Sequence, residues 1–242
     1  MDRPGEPARM LPKRFYASVS VDAKGPADHR IRLDGRPVRT PAKAELAAPT
    51  PALAQAIADE WLAQGTHIDP LSMPLTKLAN SAIDGVARRQ AEVRADIAKY
   101  AGSDLLCYRA DGPEGLQRRQ SEGWDPILKW AEQDLGARLA VGAGLMPVAQ
   151  ADAAKAAVAR ALEEYDGFAL AALHVITTLL GSVVLALAHA RGHLSAEEAW
   201  AAAHVDEDWQ ISKWGEDAEA KARRARRWAD MQAASRMLEL AR

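Results

Sequence analysis

A chain of 242 residues is long enough for one large domain or two modest ones, and it hides roughly 72% of its unfolded surface on folding, so its core needs no covalent staple. Apolar residues at 48%, charged residues at 26% and a formal net charge of -2 exclude a disordered chain and give no overall pull toward nucleic acid or an anionic membrane. The single cysteine, Cys107, rules out an internal disulfide and suits a reducing compartment.

Residues 1–14 mix Asp2 and Glu6 with Pro4, Pro7 and Pro12, and read as neither a signal nor a transit peptide. Over residues 15–40 the period is two. Phe15, Ala17, Val19 and Val21 alternate with Tyr16, Ser18, Ser20 and Asp22, then His29, Ile31 and Leu33 with Arg30 and Arg32, which predicts antiparallel strands. Asp34-Gly35 supplies the left-handed conformations of a two-residue turn. A sheet this small needs another layer on its apolar face. The segment after it predicts that layer: Thr50 as N-cap, Pro51 at the first helical position, Leu53, Ile57 and Trp61 at intervals of four, and Gly65 as the stop. Asp69-Pro70 and Met73-Pro74 then predict an extended, turn-rich connection. The domain boundary falls there, giving residues 1–74 as a small α/β domain and 75–242 as a helical bundle.

Beyond Pro74, Leu75, Leu78, Ala79, Ala82, Ile83 and Val86 share one helical face, and residues 88–99 carry the helix onward with Val93 and Ile97 inward. Asp111-Gly112-Pro113 breaks the run. Residues 116–135 read as two helical pieces meeting at Trp124-Asp125-Pro126, because proline cannot donate inside a helix, and Gly136 ends them. Residues 139–148 predict a short extended stretch, and an Ala-rich helix follows over 150–165. Residues 168–190 form an apolar run nearly long enough to span a bilayer. His174, Thr177, Thr178, Gly181 and Ser182 interrupt it and no aromatic belt flanks it, so it reads as the buried central helix of a bundle. Ser195 and Glu198 form a capping box, and a last helix runs over 216–240. The fold class is α+β: a small N-terminal α/β domain with antiparallel strands, then a C-terminal all-helical orthogonal bundle.

Chemistry-bearing motifs are scarce. No phosphate-cradling glycine motif occurs, and Gly142-Ala143-Gly144 reads as a flexible turn. His189 and His193, with His204 remote, are a weak metal set better read as helix-end histidines. Cys107 sits in the apolar stretch Asp104-Leu105-Leu106-Cys107-Tyr108 and reads as an inert buried thiol. Neither catalytic residues nor a cofactor or metal are assigned.

Two stretches depart from this pattern. Asp206, Glu207, Asp208 and Trp209, then Trp214, Glu216, Asp217 and Glu219, gather six carboxylates and two tryptophans around a single lysine, Lys213. Aromatic anchors in a charged rim build many protein interfaces. The competing reading buries both tryptophans in the core and leaves the acids at a helix N-terminus. Lys221, Arg223, Arg224, Arg226 and Arg227 follow, with Asp217–Lys221 and Glu219–Arg223 as i,i+4 pairs, and read as a self-solvated surface rather than a nucleic-acid site.

These segments, in order, resemble the ATP-twelve family, the α-subunit-specific assembly chaperones of the F-type ATP synthase, in its α-proteobacterial form. The resemblance rests on Lys13-Arg14-Phe15-Tyr16, on Leu33-Asp34-Gly35-Arg36-Pro37-Val38-Arg39-Thr40-Pro41, and on Glu60-Trp61 through Ile68-Asp69-Pro70 to Met73-Pro74-Leu75-Thr76 and Ala82-Ile83-Asp84. It continues in Asp104-Leu105-Leu106-Cys107-Tyr108-Arg109, Gln120, Trp124-Asp125-Pro126, Asp206-Glu207-Asp208-Trp209-Gln210 and Trp214-Gly215-Glu216-Asp217. It implies a non-enzymatic, ATP-independent chaperone that binds the unassembled α subunit of the catalytic head and yields it to the β subunit. It implies a small α/β domain before a helical bundle, and function-sensitive acids at positions matching Glu207, Glu216, Asp217 and Glu219. A bacterial cytoplasmic monomer without nucleic-acid partner or integral membrane segment is the expectation. The alternative is a small enzyme with a ligand site in the cleft between the two domains.

Overall fold

The structure, a computed structural model, describes residues 11–144 and 146–242; residues 1–10, most of the segment read for targeting signals, lie outside them. Strands β1 (Val19–Gly25) and β2 (Asp28–Leu33) form an antiparallel hairpin running from Val19 opposite Leu33 to Gly25 opposite Asp28. The far edge of β2 pairs with β3 (Arg36–Pro37) and with β4 (Ala47–Ala48). Asp34 and Gly35 take φ of 47° and 77° and join β2 to β3, the turn their residue types require. Asp34 tolerates this geometry because its carboxylate accepts from the Ala17 and Ser18 amides and the Ser18 hydroxyl. Those bonds also hold its carboxyl below the usual carboxylate range.

His29, Ile31 and Leu33 point inward as the alternation requires, but the first strand starts at Val19 rather than at Phe15. Phe15 is 74% exposed and Tyr16 is buried, the reverse of the predicted parity. The cause lies in long-range contacts. The Arg14 amide donates to Thr66 O at 3.0 Å and Tyr16 Oη to Trp61 O at 2.7 Å, so this segment follows the loop beyond the first helix instead of the sheet.

That helix, α1 (Pro51–Leu62), begins as expected: Thr50 Oγ1 accepts from the Leu53 amide at 3.1 Å. Leu53 and Ile57 are fully buried beneath the sheet. Its last turn is wired to α2 (Pro74–Asp84), where the Glu60 carboxylate accepts from the Leu75 and Thr76 amides at 2.7 and 2.8 Å and from Thr76 Oγ1 at 2.7 Å. At the other end of α2, Asp84 accepts from Thr40 Oγ1 and the Ala42 amide. Thr50 Oγ1 also donates to Leu240 O, so sheet and bundle share contacts at three places.

The predicted face of α2 is buried at Leu75, Leu78, Ala79 and Ala82. The helix does not run on into α3 (Gln90–Lys99): a 3-10 turn at Val86–Arg88 separates them after Gly85, a residue of low helix propensity. Strand β5 (Tyr108–Arg109) follows, then α4 (Glu114–Trp130). Here the two-piece expectation fails, since α4 passes unbroken through Pro126. Pro126 leaves the Glu122 carbonyl without its donor, and Glu122, Asp125 and Pro126 all lie on the exposed side of the helix. Trp124, Ile127 and Trp130 bury the opposite face, and Trp124 Nε1 donates to Ala202 O at 2.7 Å. A π-helical turn and Gly136, at φ 70°, end the segment.

Strand β6 (Gly142–Ala143) pairs in parallel with β5 and α5 (Asp152–Ala161) follows. The apolar run is two helices, α6 (Gly167–Leu180) and α7 (Val183–Ala190), rather than one. Gly181 is left-handed at φ 65° and Ser182 Oγ accepts from the Leu185 amide, so one residue ends α6 as the next caps α7. Helix α7 is almost wholly buried, whereas α6 leaves His174 and Thr178 exposed, and no helix among the described residues is long and apolar enough to cross a membrane. Asp104 is enclosed at this junction and accepts from the Leu106 and Val184 amides. Burial pushes its carboxyl up to about 6 against those bonds. Three helices complete the chain: α8 (Ala196–Ala203) behind the Ser195–Glu198 capping box, α9 (Val205–Trp214), and α10 (Ala218–Leu240), which packs along α6.

Candidate functional site

Helix α9 has no buried residue. It is moored from outside. The Trp209 ring lies on α4 where Gly115 leaves room, since a Cβ there would come within 2.6 Å of the indole. Asp206 Oδ1 accepts from Nε2 of the buried Gln120 at 2.7 Å. Asp208 Oδ1 meets Arg224 Nη1 of α10 at 2.5 Å. These three members of the predicted set hold the helix in place, so the core reading is half right for Trp209 and wrong for Trp214, which is 78% exposed.

Between α9 and the first turns of α10 lies a cleft of about 230 Å³, turned by Gly215 at φ 86°. Glu207, Trp214, Glu216 and Asp217 line it, together with Gln210, Ile211, Ala220, Lys221 and Arg224. Glu207 lies 3.9 Å from His204 Nε2, yet burial pushes His204 below its usual value while Nδ1 is engaged with Trp200 O at 2.7 Å. The imidazole is therefore neutral near pH 7 and makes no ion pair with Glu207. Asp217 caps α10 by accepting from the Ala220 amide at 2.8 Å. Because that carboxylate is turned inward, Lys221 pairs with Glu216 at 2.9 Å instead of with Asp217. Glu219 pairs with Arg223 at 2.8 Å as predicted and does not line the cleft.

Four of the eight predicted residues thus share one concave surface, three moor it, and Glu219 stands apart. Ile211, Gln210 and Lys221 were not singled out for this surface. Helical spacing alone aligns Ile211 with Glu207 and Trp214, whereas the Gly115 and Gln120 moorings come from a distant helix and have no local signal. The basic run is largely spent internally: Arg227 donates to Leu179 O at 2.6 Å and Arg224 serves Asp208.

The other candidates for chemistry are occupied. His189 bonds Leu194 O and Ser235 Oγ through its two ring nitrogens, and His193 stacks on Trp130. Among the described residues no group of three or more potential ligands converges for a metal. Cys107 is fully buried and its thiol is pushed up to about 12, by burial first and then by the Asp104 charge. A groove of about 450 Å³ lies among α2, α3, α6 and α10, lined wholly by residues from Pro74 onward.

Known proteins match this chain over nearly all of its length. The family model described as ATP12 chaperone protein matches residues 13–132. The mitochondrial protein atp12 of Schizosaccharomyces pombe is 27% identical over 215 residues, 84% of this chain and 74% of that one. The crystal structure of Atp12 from Paracoccus denitrificans superimposes with a TM-score of 0.91 at 44% identity, covering 96% of this chain and 99% of the other. That of the Atu1473 protein from Agrobacterium tumefaciens does so with 0.93 at 50% identity, covering 96% and 87%. With one fold and this identity along whole chains, the protein belongs to the ATP12 chaperone family, the ATP synthase assembly chaperones that its sequence resembles.

Proposed function

We propose that this chain binds the unassembled α subunit of the F-type ATP synthase catalytic head, keeps it from aggregating, and releases it to the β subunit without nucleotide hydrolysis. One observation carries the reading. The α9–α10 cleft sets an exposed tryptophan, Trp214, beside the carboxylates of Glu207, Glu216 and Asp217, against a helix none of whose residues is fully buried. A tryptophan 78% exposed is a costly surface residue for an idle monomer and an ordinary anchor for an interface.

The chemistry suits transient capture. A subunit awaiting its neighbours exposes an interface that aggregates until covered, and its holder must also let go. The Glu216–Lys221 pair is exposed and worth under about 1 kcal/mol, so a cationic side chain of the client can replace Lys221 at little cost. Partly polar contacts of this kind favour fast, reversible association over a permanent one.

The reading includes a chaperone that is not an enzyme, acting as a cytoplasmic monomer, with its domain boundary at residue 74. The inert Cys107 and the engaged His189 support the first of these. Light scattering of purified α subunit during dilution from denaturant tests the proposal: an equimolar amount of this chain should suppress aggregation with no nucleotide present. Undiminished scattering, with the chain folded, would count against it.

A further inference from the structure

We propose that the ridge formed by α9 is bipolar, and that the partner surface closing over it presents a cationic group to one flank and an acidic group to the other. The inference rests on the reading of α9 and the start of α10 as the client surface, and it adds a second, oppositely charged contact to it.

The acidic flank is the cleft wall of Glu207, Ile211 and Trp214, continued by Glu216 and Asp217, where the two cations of the lining, Lys221 and Arg224, are paired with Glu216 and Asp208. The other flank faces α4. There Lys213 Nζ lies 4.6 Å from the Trp209 ring centroid, and the Arg119 guanidinium carbon lies 4.9 Å from the same centroid. Both cations are exposed, and among the described residues neither forms an ion pair. Their neighbour Arg118 is neutralised by Glu114 at 3.1 Å. Two uncompensated like charges gathered on one indole repel each other, and cation–π attraction of about 0.5–1 kcal/mol each at an exposed site holds them without cancelling their charge.

The helix sets how the flanks are arranged. At 3.6 residues per turn, Glu207, Ile211 and Trp214 fall on one stripe and Lys213 on another, with the exposed Gln210 on the crest between them. A partner resting on Gln210 therefore meets a carboxylate-lined cleft on one side and the Arg119–Lys213 pair on the other. A client of a single charge sign is attracted by one flank and repelled by the other. A client with both signs is held in one orientation, which is how charge patterns confer specificity.

The decisive variant is Lys213→Glu, because this exposed side chain supports nothing but the face of Trp209. Affinity for purified host α subunit is measured at about 50 mM and about 300 mM salt for the full chain, for Lys213→Glu, for Arg119→Gln with Lys213→Glu, and for Glu216→Lys with Asp217→Lys. The expected result is about a fivefold or greater loss with Lys213→Glu at low salt, a larger loss in the double variant, and a severalfold smaller effect at high salt. Thermal midpoints of the two Lys213 variants should stay within about 2 °C of the parent. Unchanged affinity in both Lys213 variants, with a loss in the Glu216 and Asp217 variant, overturns the bipolar ridge and leaves the client surface standing. Unchanged affinity in all of them overturns both.

Discussion

Arg224 of α10 places its guanidinium 2.5 Å from the carboxylate of Asp208 on α9, bridging the Gly215 turn and fixing the spacing of the two helices that wall the cleft. With side chains 22% and 44% exposed, the pair lies between a surface bridge and a buried one. Asp208→Asn should therefore cost about 1 kcal/mol or less in global stability. The larger effect should be local: faster hydrogen exchange of α9 amides, because no buried side chain of its own holds that helix. Equal protection of α9 in parent and variant would remove the clip from the account.

Trp214→Ala should separate function from folding. Removing a side chain this exposed should change unfolding free energy by about 0.5 kcal/mol or less, while α-subunit capture falls about tenfold or more if the indole is the anchor of the interface. Denaturant titration and a binding isotherm on the same sample check both halves.

Asp104 gives a pH signature. Its carboxyl titrates near 6 in the native protein against 3.8 in the unfolded chain, through burial. A raised native value means the native state holds the proton longer. The stabilisation is therefore complete below pH ~4 and is lost as pH rises through ~6, by about 3 kcal/mol. Asp104→Asn lacks this titration, so the stability difference between variant and parent should move in the variant's favour across that window. A difference independent of pH would contradict the assignment. Asp28, Asp34 and Asp96, whose carboxyls are held low by hydrogen-bond partners, act in the opposite sense below about pH 4.

Glu60 joins the sheet's helix to the bundle. Three donors at the start of α2 converge on its carboxylate, an N-cap supplied from another helix. Glu60→Ala strands two amides and a hydroxyl, and should cost about 1–3 kcal/mol. Glu60→Gln, which keeps one acceptor oxygen, should recover part of that loss. Urea unfolding measures both, and a silent Glu60→Ala would sink the idea that this contact couples the two halves.

Much of the fold was legible because its signals are local. Thr50, Asp34-Gly35, Gly136 and the Ser195–Glu198 box act through their own backbone geometry, and each stands where its chemistry requires. The misreadings share the opposite property. Tyr16 is drawn from the alternation by Trp61, 45 residues away. Pro126 stays inside α4 because that side of the helix is wet, and Gly181 with Ser182 divides α6 from α7 although composition read them as one run. At the candidate site, residue type marked the acids and tryptophans, but only packing separates Asp206, Asp208 and Trp209, which moor α9, from Glu207, Trp214, Glu216 and Asp217, which line the cleft.

The most direct test of the central claim is capture from separate solutions. This chain, immobilised, is offered the host's purified ATP synthase α subunit and, in parallel, its β subunit, each soluble and free of the other. The account predicts retention of α alone, with α released when β is added. Retention of β, or of neither subunit, would contradict it.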